Sequence, residues 1–175
     1  AIENIPATPE GRVDFAALAA RLGPDIAGVM ITNPNTCGLF ERDMKAIADA
    51  VHAAGGYVYC DGANFNAIVG KVRPGDRGLD AMHITLHKTF STPHGGGGPG
   101  SGPVVLSAAL APFAPLPFVT RDADGAARLI EEEHALEDHP SSFGRMAAFH
   151  GQMGMFTRAL TYILSHGADG LRQVA

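Results

Sequence analysis

The sequence is poor in lysine and cysteine, and it has no long apolar segment. Lysine occurs only at positions 45, 71 and 88 of the 175 residues. The net charge is −5 and no basic run occurs, which argues against nucleic acid or an anionic membrane surface as a partner. No apolar run approaches the roughly 18 residues that a membrane-spanning helix needs. The composition, 46% hydrophobic and 18% charged, is typical of a globular protein.

The two cysteines, Cys37 and Cys60, make neither a disulfide framework nor a CxxC metal pair. Because no signal-peptide pattern opens the chain, a reducing, cytoplasmic location is expected. The chain begins with Ala1 rather than Met, and its last residues continue a helical pattern. We therefore expect it to be a piece of a longer protein.

Short apolar runs alternate with helical patterns in the first two thirds of the chain. This alternation predicts βαβ units, and hence an α/β fold with a mainly parallel sheet and flanking helices. The last third differs, since its patterns favour an acidic helix followed by a long apolar helix. The predicted strands are 25–32, 57–60, 81–86 and 104–106, and the predicted helices are 14–22, 41–53, 126–136 and 143–165.

Polar side chains follow three of the predicted strands. In an open α/β sheet, ligands bind at the carboxyl ends of the strands, so these residues are expected to meet at one edge. They are Asn33, Asn35 and Thr36 after the first strand, Asp61 and Asn64 after the second, and His87, Lys88 and Thr89 after the third.

Asp61 and Lys88 are the pair that points to a chemistry. A lysine amine can condense with the aldehyde of pyridoxal phosphate, provided that burial or nearby positive charge lowers its pKa from the reference value of about 10.4. An aspartate can keep the pyridine nitrogen of that cofactor protonated. Taken singly, Asp61 could be a turn-capping residue and Lys88 a surface lysine.

A glycine tract, His94-Gly95-Gly96-Gly97-Gly98-Pro99-Gly100, follows Lys88. A linker would carry serine and charges, whereas this tract favours backbone that approaches a phosphate or a carboxylate. It lacks the GxxxxGK[ST] pattern, which argues against a phosphate-loop nucleotidase.

Three histidines, His83, His87 and His94, raise the alternative of a zinc site. No carboxylate or cysteine completes the ligand set, so no metal is expected. His83 is better interpreted as an inward-facing histidine of the sheet, and His87 as a residue that orients the site beside Lys88.

Several of these segments together resemble one family. The segment LHKTFSTPHGGGGPG at 86–100 resembles the pyridoxal-lysine signature of glycine decarboxylase, the P-protein of the glycine cleavage system. The segment YCDGANFNA at 59–67 resembles that family's aspartate segment, and NPNTCGLFE at 33–41 its preceding loop. SFGR at 142–145 and FHG at 149–151 are also similar, so the resemblance covers most of the chain, as a part of the catalytic half or subunit 2.

The resemblance implies the aspartate-aminotransferase-like fold, called fold type I, with active sites built at a dimer interface. Residues 1–120 would be part of the large domain that binds pyridoxal phosphate, and 121–175 a helical segment leading toward a small domain. Lys88 would form the Schiff base, assisted by His87, and Asp61 would pair with the pyridinium. Asn35, Thr36 and Asn64 would lie near the cofactor, and His94, Gly95 and Gly96 near its phosphate or the substrate.

The implied reaction is decarboxylation of glycine, with transfer of the aminomethyl group to the lipoyl arm of the H-protein. A companion subunit or a second copy would complete the active site. The family also has an earlier stretch, which supplies the phosphate-binding turn and the residue stacked on the ring, and a later small domain. Neither is visible in this sequence, so the isolated chain is expected to be inactive.

Two alternatives remain open at the level of sequence. One is another fold type I enzyme, such as a class V aminotransferase or a cysteine desulfurase, although Cys37 and Cys60 are poorly placed for the mobile catalytic cysteine of a desulfurase. The other is a non-catalytic binding or assembly module, against which the presence of both Asp61 and Lys88 argues.

Overall fold

The computed structural model describes residues 1–96, 99–131 and 141–175. The first helix, α1, spans Phe15–Arg21, because Asp14 caps its amino end by accepting a hydrogen bond from the Ala17 N–H at 3.0 Å. Leu18 is the residue of this helix that enters the core. The helix predicted at 14–22 is thus confirmed.

Four strands form the central sheet in the order β1-β2-β3-β4. The first three strands are parallel and the fourth runs antiparallel to the third. The predicted mainly parallel sheet is therefore correct, with one antiparallel edge. The strands are β1 (Gly28–Thr32), β2 (Tyr57–Gly62), β3 (Ala81–Ile84) and β4 (Val104–Leu106).

Helix α2, Met44–Ala53, covers one face of this sheet. Its apolar residues recur at helical spacing and pack with alternate residues of the strands, as the sequence predicts. The helix ends before Gly55, which adopts a φ of 87° that favours glycine. The buried core on this face consists of Leu18, Met44, Ile47, Ala48, Val51 and Val58.

The third strand is shorter than the sequence predicts. The apolar run at 81–86 suggests one strand, but β3 ends at Ile84 and a single helical turn, α3, spans Leu86–Thr89. Leu86 leaves the sheet because its side chain packs in a second apolar cluster with Val69, Phe90 and Ala159. Lys88 therefore lies on a helical turn after the strand rather than at its last residue.

The prediction of an acidic helix at 126–136 is wrong where the structure describes it. Residues Ala127–Ile130 form strand β6, which pairs antiparallel with β5, Phe118–Arg121. A turn at Asp124-Gly125 joins the two strands, with Gly125 at a φ of 84°. Residues 132–136 of the predicted helix lie outside the described residues.

The last helix, α4, spans Met153–Val174 and is interrupted at Gly167, which has a non-helical backbone. The prediction placed this helix at 143–165, ten residues too early, because the apolar residues before it look helical. Gly151, at a φ of 92°, is not helical, so the helix begins only after it. Three 3₁₀ turns, Phe65–Ala67, Pro74–Arg77 and Ala111–Phe113, complete the described elements. None of the helices in the described ranges combines the length and the apolar character that crossing a membrane requires.

Candidate active site at the carboxyl ends of the strands

Asp61 lies near the carboxyl end of β2, in register with Thr32 of β1 and His83 of β3. Its side chain lies on the sheet face opposite the α2 core, because Val58 and Cys60 point to that core and strand side chains alternate. The Oδ1 atom accepts a hydrogen bond from the Ala63 N–H at 2.8 Å and lies 3.2 Å from His83 Nε2. Within the described residues, Oδ2 has no protein partner, so it remains available to a ligand.

The three lysines differ in what their amines contact, and all three lie within the described ranges. Lys45 is paired with Asp49 and Lys71 donates to the carbonyl oxygen of Ala175. The exposed Lys88 has no polar partner for its amine among the described residues. Its backbone is fixed, because its N–H donates to the Thr85 carbonyl at 3.2 Å. Lys88 is thus the lysine whose amine is left free on a positioned turn.

His87 lies on the same turn, with its ring against that of His94 at a centroid distance of 4.5 Å. Partial burial, and then electrostatic repulsion from His94 and Lys88, lower the pKa of the His87 imidazole, which favours its neutral form. Its Nδ1 atom is buried and has no hydrogen-bond partner in the described part of the chain. A buried polar atom without a partner is costly, and a ligand group would relieve that cost.

The glycine tract starts beside His94 with two residues in the left-handed region. Gly95 has a φ of 67° and Gly96 a φ of 66°, which favours glycine at both positions. A Cβ added to Gly96 would meet no atom within 4 Å, so its backbone faces open space. Gly97 and Gly98 lie outside the described residues. Gly95 and Gly96 thus have the exposed backbone that the sequence predicts.

The residues predicted after β1 hold a loop together. Asn35 donates from its side chain to the Gly11 carbonyl at 2.9 Å and accepts from the N–H groups of Cys37 and Leu39. Asn64 donates to the carbonyls of Pro34 and Asn35, which ties this loop to the end of β2. The side-chain amides of Asn35 and Asn64 already donate to backbone carbonyl oxygens of the chain. Their predicted contacts with the cofactor therefore stay predictions.

Thr36 is an exposed residue of the same loop. Its hydroxyl makes no hydrogen bond to another described residue. Its predicted place near the cofactor therefore also stays a prediction, supported by its position after β1 at the edge where Asp61 lies.

Two residues of the site carry roles that the sequence did not assign. Tyr59 Oη lies 2.7 Å from His83 Nδ1, and the two rings stack at a centroid distance of 5.9 Å. Since His83 also contacts Asp61, the three side chains form one chain of hydrogen bonds. The alternation Tyr59-Cys60-Asp61 was the available signal, because it puts both polar residues on one face of the strand.

The zinc alternative finds no support in the geometry of the histidines. His83 lies on β3 and His87 on α3, so the two do not share one strand face. The described residues contain no group of three or more histidine, cysteine, aspartate or glutamate side chains suited to hold a metal ion.

The donor set of this site fits pyridoxal phosphate. The free amine of Lys88 could bind its aldehyde, and the free Oδ2 of Asp61 could accept from its protonated ring nitrogen. The exposed backbone at Gly95 and Gly96 is suited to an anion.

Curated sequences give close relatives over nearly the whole chain. It is 66% identical over 174 residues to a protein of Caulobacter vibrioides named probable glycine dehydrogenase (decarboxylating) subunit 2. A protein of the same name from Methylococcus capsulatus is 53% identical. Both matches cover 99% of this chain, but the chain spans only about a third of the relatives' own length, 33% and 35%. No family model matches the chain.

Solved structures agree with the fold. A glycine decarboxylase (P-protein) of the glycine cleavage system, solved in inhibitor-bound form, superposes with a TM-score of 0.64 at 25% identity, over 86% of this chain and 35% of that one. The cysteine desulfurase CsdA from Escherichia coli gives a TM-score of 0.59 at 16% identity, over 95% of this chain and 39% of its own, which shows the fold alone. The predicted α/β fold, of the aspartate-aminotransferase-like type, is thereby confirmed.

The motifs, the identity to the curated proteins and the superposed structure all lead to the same family. The resemblance to glycine decarboxylase is confirmed, and the chain is a relative, over about a third of their length, of the glycine dehydrogenase (decarboxylating) subunit 2 proteins.

Proposed function

We propose that this chain is part of the catalytic machinery of a pyridoxal-phosphate-dependent glycine decarboxylase, a glycine dehydrogenase of the decarboxylating type. The observation that carries the proposal is the placement of two groups near the carboxyl ends of parallel strands: a lysine on α3 whose amine has no partner in the described residues, and an aspartate on β2 with one unoccupied carboxylate oxygen. The names of the close relatives support the same reaction.

When bound, pyridoxal phosphate supplies an aldehyde and an electron-accepting ring. Lys88 is the residue that would attach it, because its amine makes no competing contact in the described residues. Asp61 would accept a hydrogen bond at Oδ2 from the protonated ring nitrogen while Ala63 and His83 hold Oδ1. This arrangement fixes the carboxylate in one orientation, as electrostatic stabilisation requires.

His87 and His94 would serve the substrate side of the site. A neutral imidazole at His87 can donate or accept a proton, and its unpartnered Nδ1 is suited to a polar group of the ligand. The exposed amides beside His94 would bind the cofactor phosphate or the carboxylate of glycine. Glycine has no side chain, so its carboxylate and amine are the groups available for recognition.

The proposed acceptor of the aminomethyl group is the lipoyl arm of an H-protein. A companion subunit or a second copy would complete the active site, and the enzyme would act in the cytoplasm. Residues 1–120 would belong to the cofactor-binding large domain, with 121–175 leading toward a small domain.

Reductive labelling tests the cofactor site. The full-length protein that contains this chain is incubated with pyridoxal phosphate, reduced with borohydride, and the modified lysine is located by peptide mass spectrometry. We expect the adduct at Lys88, since the amines of Lys45 and Lys71 are occupied by other groups. Lys88→Arg keeps the positive charge and should abolish that adduct while leaving the background at the other two lysines unchanged. Equal labelling of all three lysines, or none at Lys88, would overturn the proposal.

Release of labelled carbon dioxide tests the substrate. The full-length protein that contains this chain, assembled with its companion subunit, is supplied with carboxyl-labelled glycine, pyridoxal phosphate and lipoylated H-protein, with carboxyl-labelled alanine as the control. We expect release from glycine that depends on the lipoyl group and is lost in Lys88→Arg. Release from alanine at the same rate would contradict the assignment of glycine as the substrate.

A further inference from the structure

The rings of Tyr59 and His83 stack on each other, and His83 contacts the carboxylate of Asp61. Tyr59 precedes Asp61 by two residues on β2, and His83 is the register partner of Asp61 on β3. The three side chains therefore share one face of the sheet, and their order is set by strand pairing rather than by a flexible loop. About 28–29% of the side-chain surface of both His83 and Asp61 is exposed, so the contact between them is largely withdrawn from water.

The hydrogen bonds select the position of the imidazole proton. With a proton on Nδ1 alone, His83 would turn the lone pair of Nε2 toward the carboxylate of Asp61, 3.2 Å away, which is repulsive. With a proton on Nε2, the ring donates to Asp61 and its Nδ1 accepts from the hydroxyl of Tyr59 at 2.7 Å. Burial is the main cause that raises the pKa of Tyr59, and the negative charge of Asp61 is the second. The Tyr59 hydroxyl therefore keeps its proton and donates it in the hydrogen bond.

We infer that His83 is a positioning residue that, together with Tyr59, holds the Asp61 carboxylate in place for the ring nitrogen of pyridoxal phosphate. The inference rests on the proposed function for the identity of the ligand, whereas the hydrogen bonds exist in the chain without it. His83 acts through Asp61: it occupies Oδ1 and leaves Oδ2 for the ligand. An aspartate free to rotate would present a less defined acceptor, and binding through the ring nitrogen would weaken.

The proton position on His83 is measurable without cofactor. In chain labelled with ¹⁵N-histidine, long-range ¹H–¹⁵N correlation spectra at a pH where the ring is neutral should show the proton on Nε2. Tyr59→Phe should shift the Nδ1 resonance, because its hydrogen-bond donor is lost. Tyr57→Phe is the matched control, since Tyr57 lies on the same strand and should leave His83 unchanged. A proton found on Nδ1, or equal effects of the two tyrosine variants, would overturn the inference.

Two cofactor forms separate positioning from a structural role. We expect His83→Leu to weaken pyridoxal phosphate binding about tenfold, the usual scale for a hydrogen bond to a charged group, and Tyr59→Phe to weaken it less. His83→Gln should recover most of the affinity, because its side-chain amide can donate to Asp61. In the control analogue, CH replaces the ring nitrogen, so the analogue has no N–H that could donate to Asp61. His83→Leu and wild type should therefore bind this analogue with equal affinity. Equal losses for both forms would mean that His83 supports the fold only.

The outcomes distinguish this inference from the proposed function. If wild-type chain labels at Lys88 and His83→Leu binds both cofactor forms as tightly as wild type, the positioning role is wrong and the function stands. If the full-length protein forms no adduct at Lys88, the proposed function fails, and with it the cofactor as the ligand of Asp61. The proton position on His83 then reports on the hydrogen-bond chain alone.

Discussion

The two cysteines differ in burial and in the chemistry of their thiols. Cys60 is 1% exposed on β2, and burial raises the pKa of its thiol. A hydrogen bond from the Asn33 backbone lowers that pKa and the negative charge of Asp61 raises it, and the net shift is upward. Cys37 is exposed in the loop after β1. Since the thiolate is the reacting form, Cys60 should be far less reactive than Cys37.

Alkylation of the native chain tests this difference. Iodoacetamide at pH 8 should modify Cys37 within minutes and leave Cys60 unmodified, as read by peptide mass spectrometry. Both should react at similar rates in urea, which serves as the control for intrinsic reactivity. Equal labelling of the native protein would show that β2 opens readily, contrary to its place in the core.

Gly62 is the residue on which the close pairing of β2 and β3 depends. A Cβ added there would lie 1.8 Å from the His83 carbonyl oxygen and 2.8 Å from the terminal methyl of Met82. Both neighbours belong to β3, and a carbonyl cannot move without shifting the strand. The glycine therefore allows β3 to approach Asp61 closely enough for the contact of His83 with the carboxylate.

We expect Gly62→Ala to lower the free energy of unfolding by about 1–3 kcal/mol, the usual cost of overpacking. Gly75→Ala is the matched control, because an added Cβ there meets nothing within 4 Å, and its effect should stay below about 1 kcal/mol. Urea denaturation of the two variants and wild type measures both values. Equal midpoints for the two variants would contradict the close approach at Gly62.

Helices and strands can be predicted from the sequence where the local hydrophobic pattern agrees with the tertiary packing. Helix α2 follows from the spacing of Met44, Ile47 and Val51, which is the face that the sheet buries. The parallel strands follow from short apolar runs separated by turn residues. Placement of Asp61 and Lys88 at one edge of the sheet follows in turn from the parallel order of β1, β2 and β3.

Prediction from the sequence fails where the pairing of two strands overrides a local preference for helix. Residues 127–130, Ala-Arg-Leu-Ile, favour a helix by composition, yet they pair with β5 across an Asp-Gly turn. That dipeptide was the available hairpin signal, weakened by the acidic residues that follow it. At the site, the position of His83 beside Asp61 depends on the register between β2 and β3, which no local pattern specifies.

One buried carboxylate links most of the elements of the sheet. Asp80 is 7% exposed and immediately precedes β3. Its carboxylate accepts from the Val58 N–H at 2.8 Å and from the Ser107 hydroxyl at 3.2 Å, and it lies 2.6 Å from His52 Nε2 on α2. Its own carbonyl also accepts from the Ser107 N–H. Burial raises the pKa of this carboxyl, but the hydrogen bonds from Val58, His52 and Ser107 and the charge of His52 outweigh burial, so its pKa is lowered.

The lowered pKa of Asp80 predicts the acid sensitivity of the whole molecule. A carboxyl whose pKa is lower in the folded than in the unfolded chain contributes stability that is present above its unfolded pKa, about 3.9, and is lost as the pH falls through its folded value. We therefore expect the free energy of unfolding to fall as the pH drops below about 4. Asp80→Asn removes the titrating group and should be less stable at pH 7, with a flatter decline under acid. Ser107→Ala removes one donor and should act in the same direction but less. Urea denaturation between pH 3 and pH 7 gives these slopes, and parallel slopes for wild type and Asp80→Asn would show that other carboxylates control acid unfolding.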